Sequence, residues 1–272
     1  MNLLRYSLLV LILALFACEE TIILDVDQAP TKIVIEGVLT NREKDQFVKI
    51  TRTVDFYSTK SPERVANATV KVTSSDGKEF SYIQFSPGVY VPRTPFAGEV
   101  GKKYMLSVTI DGTVYTSEDE LFPVAPIDSL GYSEVENPSD DQIASGHTYE
   151  LLLYFREPRE TKDYYMFKFY RNDSLSYNTS NDIYITSDDA LGETISGFPA
   201  PVNYGEADTA RLEMFSLSRY GYVYYSDMTN LLFSDGGLFG PVPANPRSNI
   251  SNGALGFFQV SAVTTSSVIL KK

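Results

Sequence analysis

Apolar and polar residues alternate along the first half of the chain, in short runs that end at turn residues. Val70–Thr73 and Tyr104–Ile110 place an apolar side chain at every second position, which predicts strands with one buried face. Asp76-Gly77 and Asp111-Gly112 follow these runs and predict tight hairpin turns. About eight such runs, without a helical period, predict an immunoglobulin-like β-sandwich for residues 18–122.

Residues 127–272 again carry alternating apolar positions, in longer runs. Residues 123–126 (Pro-Val-Ala-Pro) precede them and are predicted to be a linker, because two prolines do not fit inside a central strand. Tyr149–Phe155 and Tyr165–Phe169 alternate and are predicted to pair as a long hairpin. The second region is therefore predicted to be another β-rich domain, in an all-β protein.

Two segments of this second region depart from the alternation. Residues 186–207 carry glycine, proline and aspartate without periodicity and are predicted to form a long loop. Ser218 is a typical helix N-cap, and apolar residues follow it at three- and four-residue spacing, so a single helix is predicted near residues 218–233. The chain is predicted to close with a pair of strands at Leu255–Val260 and Val268–Leu270.

The start of the chain has the order of a bacterial lipoprotein signal. Arg5 precedes an apolar run, Leu8–Phe16, that is too short to span a bilayer, and Leu15-Phe16-Ala17-Cys18 matches a lipobox. Residues 1–17 are therefore predicted to be a signal peptide cleaved between Ala17 and Cys18, with lipid attached to the Cys18 sulfur. The alternative is a core thiol in a soluble secreted protein. Because Cys18 is the only cysteine, lipidation is favoured: it leaves no free thiol to mispair in an oxidising compartment.

Several short segments stand in a characteristic order along the chain: Cys18–Glu20 with Ile23–Asp25, Ile33–Thr40, Gly101–Tyr104 with Leu106, Pro123–Ser129, Pro246–Ile250 and Gly253–Phe258. This order resembles the domain-of-unknown-function 4249 (DUF4249) lipoproteins of the Bacteroidota, except that Phe257 stands where tyrosine is expected. The resemblance implies an outer-membrane lipoprotein, often associated with TonB-dependent receptors that import nutrients. It implies no catalytic or ligand residues, so Cys18 is the only functional position that it carries over.

The net charge of the chain is −12. Such a surface repels nucleic acids and anionic headgroups, so no nucleic-acid partner is expected. Glu19 and Glu20, directly after the lipid cysteine, are either a solvated spacer or a sorting signal toward the outer surface.

Residues that could carry catalysis are few. His147 is the only histidine, which excludes a zinc site built from several histidines, and it is interpreted as a solvated loop residue. The sequence has no Gly-x-Ser-x-Gly elbow and no glycine-rich phosphate loop. Glu150 and Glu157 are a possible carboxylate pair for glycoside hydrolysis. No catalytic residue, cofactor or metal is therefore predicted.

Two further sets of residues have both a structural and a functional interpretation. The acidic pairs either are solvated loops or bind calcium, although none has EF-hand spacing: Asp25/Asp27, Asp140/Asp141 and Asp188/Asp189. Tyr164-Tyr165 and Tyr220–Tyr225 either pack in the core or form a stacking surface for sugars or peptides. Tyr222 and Tyr225 are expected to be the exposed members.

Three functions fit these features. The leading hypothesis is a non-enzymatic protein, lipid-anchored at the outer membrane, that assists a TonB-dependent β-barrel transporter; whether it faces the periplasm or the cell surface stays open. The second is a surface adhesin or matrix-binding module, since tandem β-domains on a tether also suit adhesion. The third is a carboxylate-based glycosidase.

Overall fold

A computed structural model describes residues 30–55, 58–158, 160–177, 179, 182–234 and 244–271, and its fold is all-β. The predicted signal peptide, Cys18, Glu19, Glu20 and the Asp25/Asp27 pair lie outside the described residues. Two groups of strands can be distinguished within the described part of the chain.

The first group forms one sheet of eight strands, in the spatial order β15-β1-β2-β5-β4-β3-β6-β7. The sheet nearly closes on itself, because β15 lies beside β7 and the Asp119 carboxylate accepts a hydrogen bond of 3.0 Å from the Val260 N–H. The all-β class is confirmed, whereas the immunoglobulin-like arrangement is not, because these strands form one continuous barrel-like sheet. The strands are β1 (Ile33–Thr40), β2 (Phe47–Arg52), β3 (Thr69–Ser74), β4 (Glu79–Ser86), β5 (Val89–Pro92), β6 (Lys103–Ile110), β7 (Thr113–Glu120) and β15 (Leu255–Ser261).

The core of this sheet is made by the inward residues of the alternating strands. Ile35, Ile50, Leu106 and Phe258 are almost completely buried there. Tyr90 is buried with them, and its hydroxyl donates to the Val65 carbonyl (3.0 Å), so its polar end is satisfied. The apolar residues of the alternating pattern therefore face the inside of the barrel-like sheet, and the residues between them face outward.

The second group forms two sheets that pack face to face. A five-stranded sheet has the order β11-β10-β14-β16, with β12 also on β10, and a three-stranded sheet has the order β13-β9-β8. Leu151, Phe169, Tyr204 and Leu212 are among the buried residues between them. The strands are β8 (Ile127–Glu134), β9 (Tyr149–Arg156), β10 (Tyr164–Arg171), β11 (Ser174–Ser176), β12 (Tyr184–Ser187), β13 (Thr194–Tyr204), β14 (Thr209–Leu217) and β16 (Val263–Ile269).

The predicted hairpin between Tyr149–Phe155 and Tyr165–Phe169 is wrong. These segments are β9 and β10, and they lie in different sheets. Both have a strongly apolar face, and they bury those faces against each other across the core, where the rings of Phe155 and Tyr165 meet edge to face at 6.4 Å. Alternation identified both strands but not their hydrogen-bonding partners.

The predicted loop at residues 186–207 is also wrong. This stretch contains the end of β12, a short 3₁₀ helix (Asp188–Ala190) and the eleven-residue strand β13. The pairing of β13 with β9 is irregular between Ser196 and Phe198 and again between Pro199 and Asn203. Because β13 is an edge strand, its bulges and prolines are tolerated, and they hide the alternation of the sequence.

The described residues contain two α-helices, α1 (Asp140–Ser145) and α2 (Arg219–Leu232), where a single helix was predicted. The predicted helix is confirmed as α2, with the Ser218 hydroxyl accepting a hydrogen bond of 3.1 Å from the Gly221 N–H. Helix α1 was missed because six residues are too few to show a periodicity, although Ser139 and Gln142 form a capping box. Neither helix has the length and apolar character needed to cross a membrane.

The end of the chain joins the two groups of strands. Two final strands were predicted at Leu255–Val260 and Val268–Leu270, and the structure has β15 and β16 there. Strand β15 pairs in parallel with β1, and β16 pairs with β14. The Ser216 hydroxyl bridges the two regions, since it donates to the Phe122 carbonyl (2.7 Å) and accepts from the Ala262 N–H (2.9 Å). The residues from Thr31 onward pack as one compact unit. The linker and domain boundary at residues 123–126 stay a prediction.

Candidate functional site

A groove of about 450 Å³ lies where the two groups of strands meet helix α2. Strands β1, β2 and β15 form one side, and β10, β12 and β14 form the other. Its walls are rich in aromatic side chains, which include Phe47, Tyr177, Tyr184, Phe215, Tyr224 and Phe257.

The second face of the five-stranded sheet supplies one wall of the groove. On β10, Tyr165 and Phe169 point into the sandwich core, so Met166 and Lys168 lie on the opposite face. Met166 pairs directly with Phe215 of β14, and both are buried. Because every second side chain of a strand lies on the same face, Met166, Phe215 and Lys168 belong to the same wall of the groove.

Helix α2 covers this wall through its tyrosines. The Tyr222 ring packs on Tyr164 at 4.9 Å, the Tyr224 ring stacks on Phe257 at 4.9 Å, and the Tyr225 hydroxyl donates to Gln259 Oε1 at 2.6 Å. Burial raises the pKa of Tyr225.

The expectation that Tyr222 and Tyr225 are exposed is therefore wrong. Both are partly buried because α2 rests on β10 and β15, and only Tyr220, at 77% exposure, points clearly to solvent among these tyrosines. Core packing is confirmed for Tyr165 and Tyr224, which are buried.

Two lysines in the groove differ in their partners. Lys49 forms an ion pair with Glu36, with a nitrogen–oxygen distance of 2.7 Å. Lys168 places its ammonium group 4.7 Å from the centroid of the Phe215 ring. Within the described part of the chain, no carboxylate oxygen lies within 4.0 Å of Lys168 Nζ. Desolvation lowers the pKa of Lys168.

A cluster of charged residues lies beside Lys168. Glu213 is buried and accepts hydrogen bonds from Arg42 (3.0 Å), Arg211 (2.8 Å) and the Tyr170 hydroxyl (3.0 Å). Burial opposes ionisation of Glu213, but Arg42, the Tyr170 hydroxyl and the charge of Arg211 together outweigh it and lower the pKa of Glu213. Arg42 comes from the turn after β1, so this cluster also joins the first sheet to β14.

The structure does not bring the candidate catalytic residues together. Glu150 accepts a hydrogen bond from the Ser133 hydroxyl (2.8 Å), and Glu157 accepts one from the Tyr165 hydroxyl (2.9 Å). They are seven residues apart on one extended segment, about 23 Å, against the roughly 5 to 9.5 Å of glycosidase carboxylates. His147 is partly buried, and desolvation together with the charge of Arg171 lowers its pKa.

The acidic pairs within the described residues have structural partners. Asp140 and Asp141 lie in the first turn of α1, where negative charge favours the helix dipole. Asp188 accepts a hydrogen bond of 3.2 Å from the Asp163 N–H, and Asp189 forms an ion pair of 2.7 Å with Lys162. The described part of the chain holds no group of three or more histidine, cysteine, aspartate or glutamate side chains placed to bind a metal ion.

The family model described as "Domain of unknown function (DUF4249)" matches residues 19–267, which is nearly the whole chain. The chain belongs to the DUF4249 family. Membership of this family, inferred from the order of short segments, is thus confirmed. No curated protein matches the chain.

In this DUF4249 protein, the sequence indicated two of the groove tyrosines, Tyr224 and Tyr225, but not the groove itself. Tyr164-Tyr165 and Tyr220–Tyr225 were recognised as a possible stacking surface. Lys168 was missed, although one signal was available: it is the only charged residue inside the aromatic run Tyr164–Tyr170. Phe47, Phe215 and Phe257 come from strands far apart in the chain, so no local pattern could have joined them.

Proposed function

We propose that this DUF4249 protein is a lipid-anchored, non-enzymatic binding protein of the outer membrane that assists a TonB-dependent nutrient transporter. The aromatic groove between the two groups of strands carries the binding part of the proposal. In this role the groove holds cargo for the transporter.

The form of the groove supports binding. Its volume of about 450 Å³ falls within the roughly 300 to 1,000 Å³ of small-molecule clefts. Tyrosine offers an apolar ring and a polar hydroxyl at low entropic cost, which suits a ligand with both kinds of surface. The lining residues lie on strands and a helix for the most part, so their positions are fixed before a ligand arrives.

The lipobox supports the anchor. Acyl chains on Cys18 would each contribute about 0.8 kcal/mol per buried methylene, enough for lasting attachment when several chains are present. The barrel-like sheet, to which most of residues 18–122 contribute, would then act as a spacer or docking module next to the membrane and, through β1 and β2, as one wall of the groove. The transporter as partner rests on the family resemblance.

Two measurements test this proposal. Mass spectrometry of the native protein should find acylated Cys18 at its terminus, and Cys18→Ser should release the protein from membranes. Co-purification from outer membranes should recover a large β-barrel partner. Repeated recovery of the lipoprotein alone would contradict the transporter role. If deletion of the protein alters attachment of the cells but leaves nutrient uptake intact, the adhesin function is favoured instead.

A further inference from the structure

Among the described residues, one of the two lysines in the groove is paired with a carboxylate and the other is not. Glu36 neutralises Lys49 at 2.7 Å, but the Lys168 ammonium group lies over the Phe215 ring without a carboxylate at contact distance among the described residues. A lysine that is partly withdrawn from water in this way loses hydration without gaining an ion pair.

The strand partner of Lys168 makes no ion pair with it, although the charges of Glu213 and Asp45 act on the lysine from a distance. Glu213 stands directly opposite Lys168 in the pairing of β10 with β14. Its Oε1 atom already accepts hydrogen bonds from Arg42 and Arg211, and its Oε2 atom accepts one from Tyr170. Both carboxylate oxygens have other donors, and Lys168 faces the groove without contacting either of them.

We propose that the groove binds an organic monocarboxylate, with the carboxylate on Lys168 and an apolar or ring-shaped body against the aromatic wall. The inference rests on the proposed function, because it names the chemical class of the ligand for the same groove. One ammonium group without a carboxylate at contact distance among the described residues matches one negative charge. The carboxylates of Glu36 and Asp182 also line the groove and disfavour a ligand that carries more than one.

The apolar part of the ligand follows from the wall around Lys168. Phe215 lies under the ammonium group but is itself buried, so the apolar surface open to a ligand is that of Tyr177, which is 45% exposed, and of the partly buried rings of Phe47 and Tyr184. A small hydrated anion would leave these surfaces uncovered. An aromatic or aliphatic body covers them and contributes about 25 cal/mol for each Å² of apolar surface that it buries.

The test uses a fluorescent ligand and its uncharged match. The chain contains no tryptophan, so selective excitation of N-acetyltryptophan reports on the ligand alone. The purified full chain should bind N-acetyltryptophan roughly tenfold more tightly than N-acetyltryptophanamide, because a charge-assisted hydrogen bond contributes more than a neutral one. Lys168→Gln should abolish that preference, and Lys168→Arg should keep it.

Two further variants separate the possible failures. Lys162→Gln removes the same charge outside the groove and should leave the preference intact, and thermal unfolding should show that each variant is folded. If acid and amide bind equally and Tyr177→Ala weakens both, the groove is a binding site but the carboxylate assignment is wrong. Binding of neither ligand, or an equal effect of Lys162→Gln and Lys168→Gln, also overturns the assignment. Co-purification with a transporter is unaffected by these outcomes and tests the proposed function separately.

Discussion

Replacing Gly256 by alanine tests how β15 completes the first sheet. Gly256 pairs with Ile35 in the parallel ladder between β15 and β1, and its φ is +95°. A Cβ atom added there would lie 2.1 Å from the Ile35 carbonyl oxygen and 2.8 Å from its carbonyl carbon. Because both atoms belong to the backbone, no side-chain rotation can relieve the contact.

The expected destabilisation has two parts. The positive φ costs an L-residue about 1 to 2 kcal/mol. The contact with Ile35 forces β15 away from β1, which weakens ladder hydrogen bonds worth about 1 kcal/mol each and loosens buried Phe258 and Val260. We therefore expect Gly256→Ala to lower the free energy of unfolding by roughly 4 kcal/mol, at the upper end of the range for single substitutions.

Gly253 provides the matched control, three residues earlier in the same segment. Its φ is +71°, but a Cβ atom there would meet nothing within 4 Å. Gly253→Ala should cost only about 1 kcal/mol, from the backbone conformation alone. Urea unfolding followed by tyrosine fluorescence and circular dichroism measures both variants. If Gly256→Ala lowers the free energy of unfolding no more than Gly253→Ala does, the contact with Ile35 is not the cause of the destabilisation.

Three further predictions concern other contacts that stabilise the fold. Burial raises the pKa of Asp119 to about 6, so the protonated form of Asp119 is favoured in the folded state. This preference stabilises the fold fully below about pH 4, and the stabilisation is lost as the pH rises through 6. The stability difference between the native protein and Asp119→Asn should therefore fall by about 2 kcal/mol between pH 4 and pH 7 in urea unfolding, and a flat difference would contradict this. Ser218→Ala should cost about 1 kcal/mol in thermal unfolding by removing the cap of α2, whereas Ser226→Ala within the helix should cost less. Arg42→Ala should cost about 2 kcal/mol because it leaves buried Glu213 short of a partner, and exposed Glu43→Ala should change stability little.

Local patterns predicted the parts of the fold that local physics determines. Asp111 and Gly112 have φ values of +49° and +82° and form the two-residue turn between β6 and β7, as the Asp-Gly pair indicated. The cap at Ser218 likewise marks the start of α2. In both cases the deciding interactions lie within a few residues of each other.

The pairing of distant strands could not be predicted in this way. Strands β9 and β10 alternate as a hairpin would, yet alternation reports only that a face is buried and not what covers it. Strand β13 was missed because bulges and prolines interrupt its period. The parallel partner of β1 lies more than two hundred residues away, at β15. For the same reason the groove, which these long-range pairings assemble, had no signature in the sequence.

The final strands link the fold to the candidate site. Strand β15 carries both Gly256, which allows close approach to β1, and the groove residues Phe257 and Gln259. Phe257 stacks under Tyr224, and Gln259 accepts the Tyr225 hydrogen bond, so helix α2 is held over the groove only when β15 is in place. A contact that completes the first sheet therefore also completes the binding wall. A substitution that loosens β15 is expected to weaken ligand binding together with stability, whereas Lys168→Gln should weaken carboxylate binding alone, because it removes a charge and no part of the scaffold.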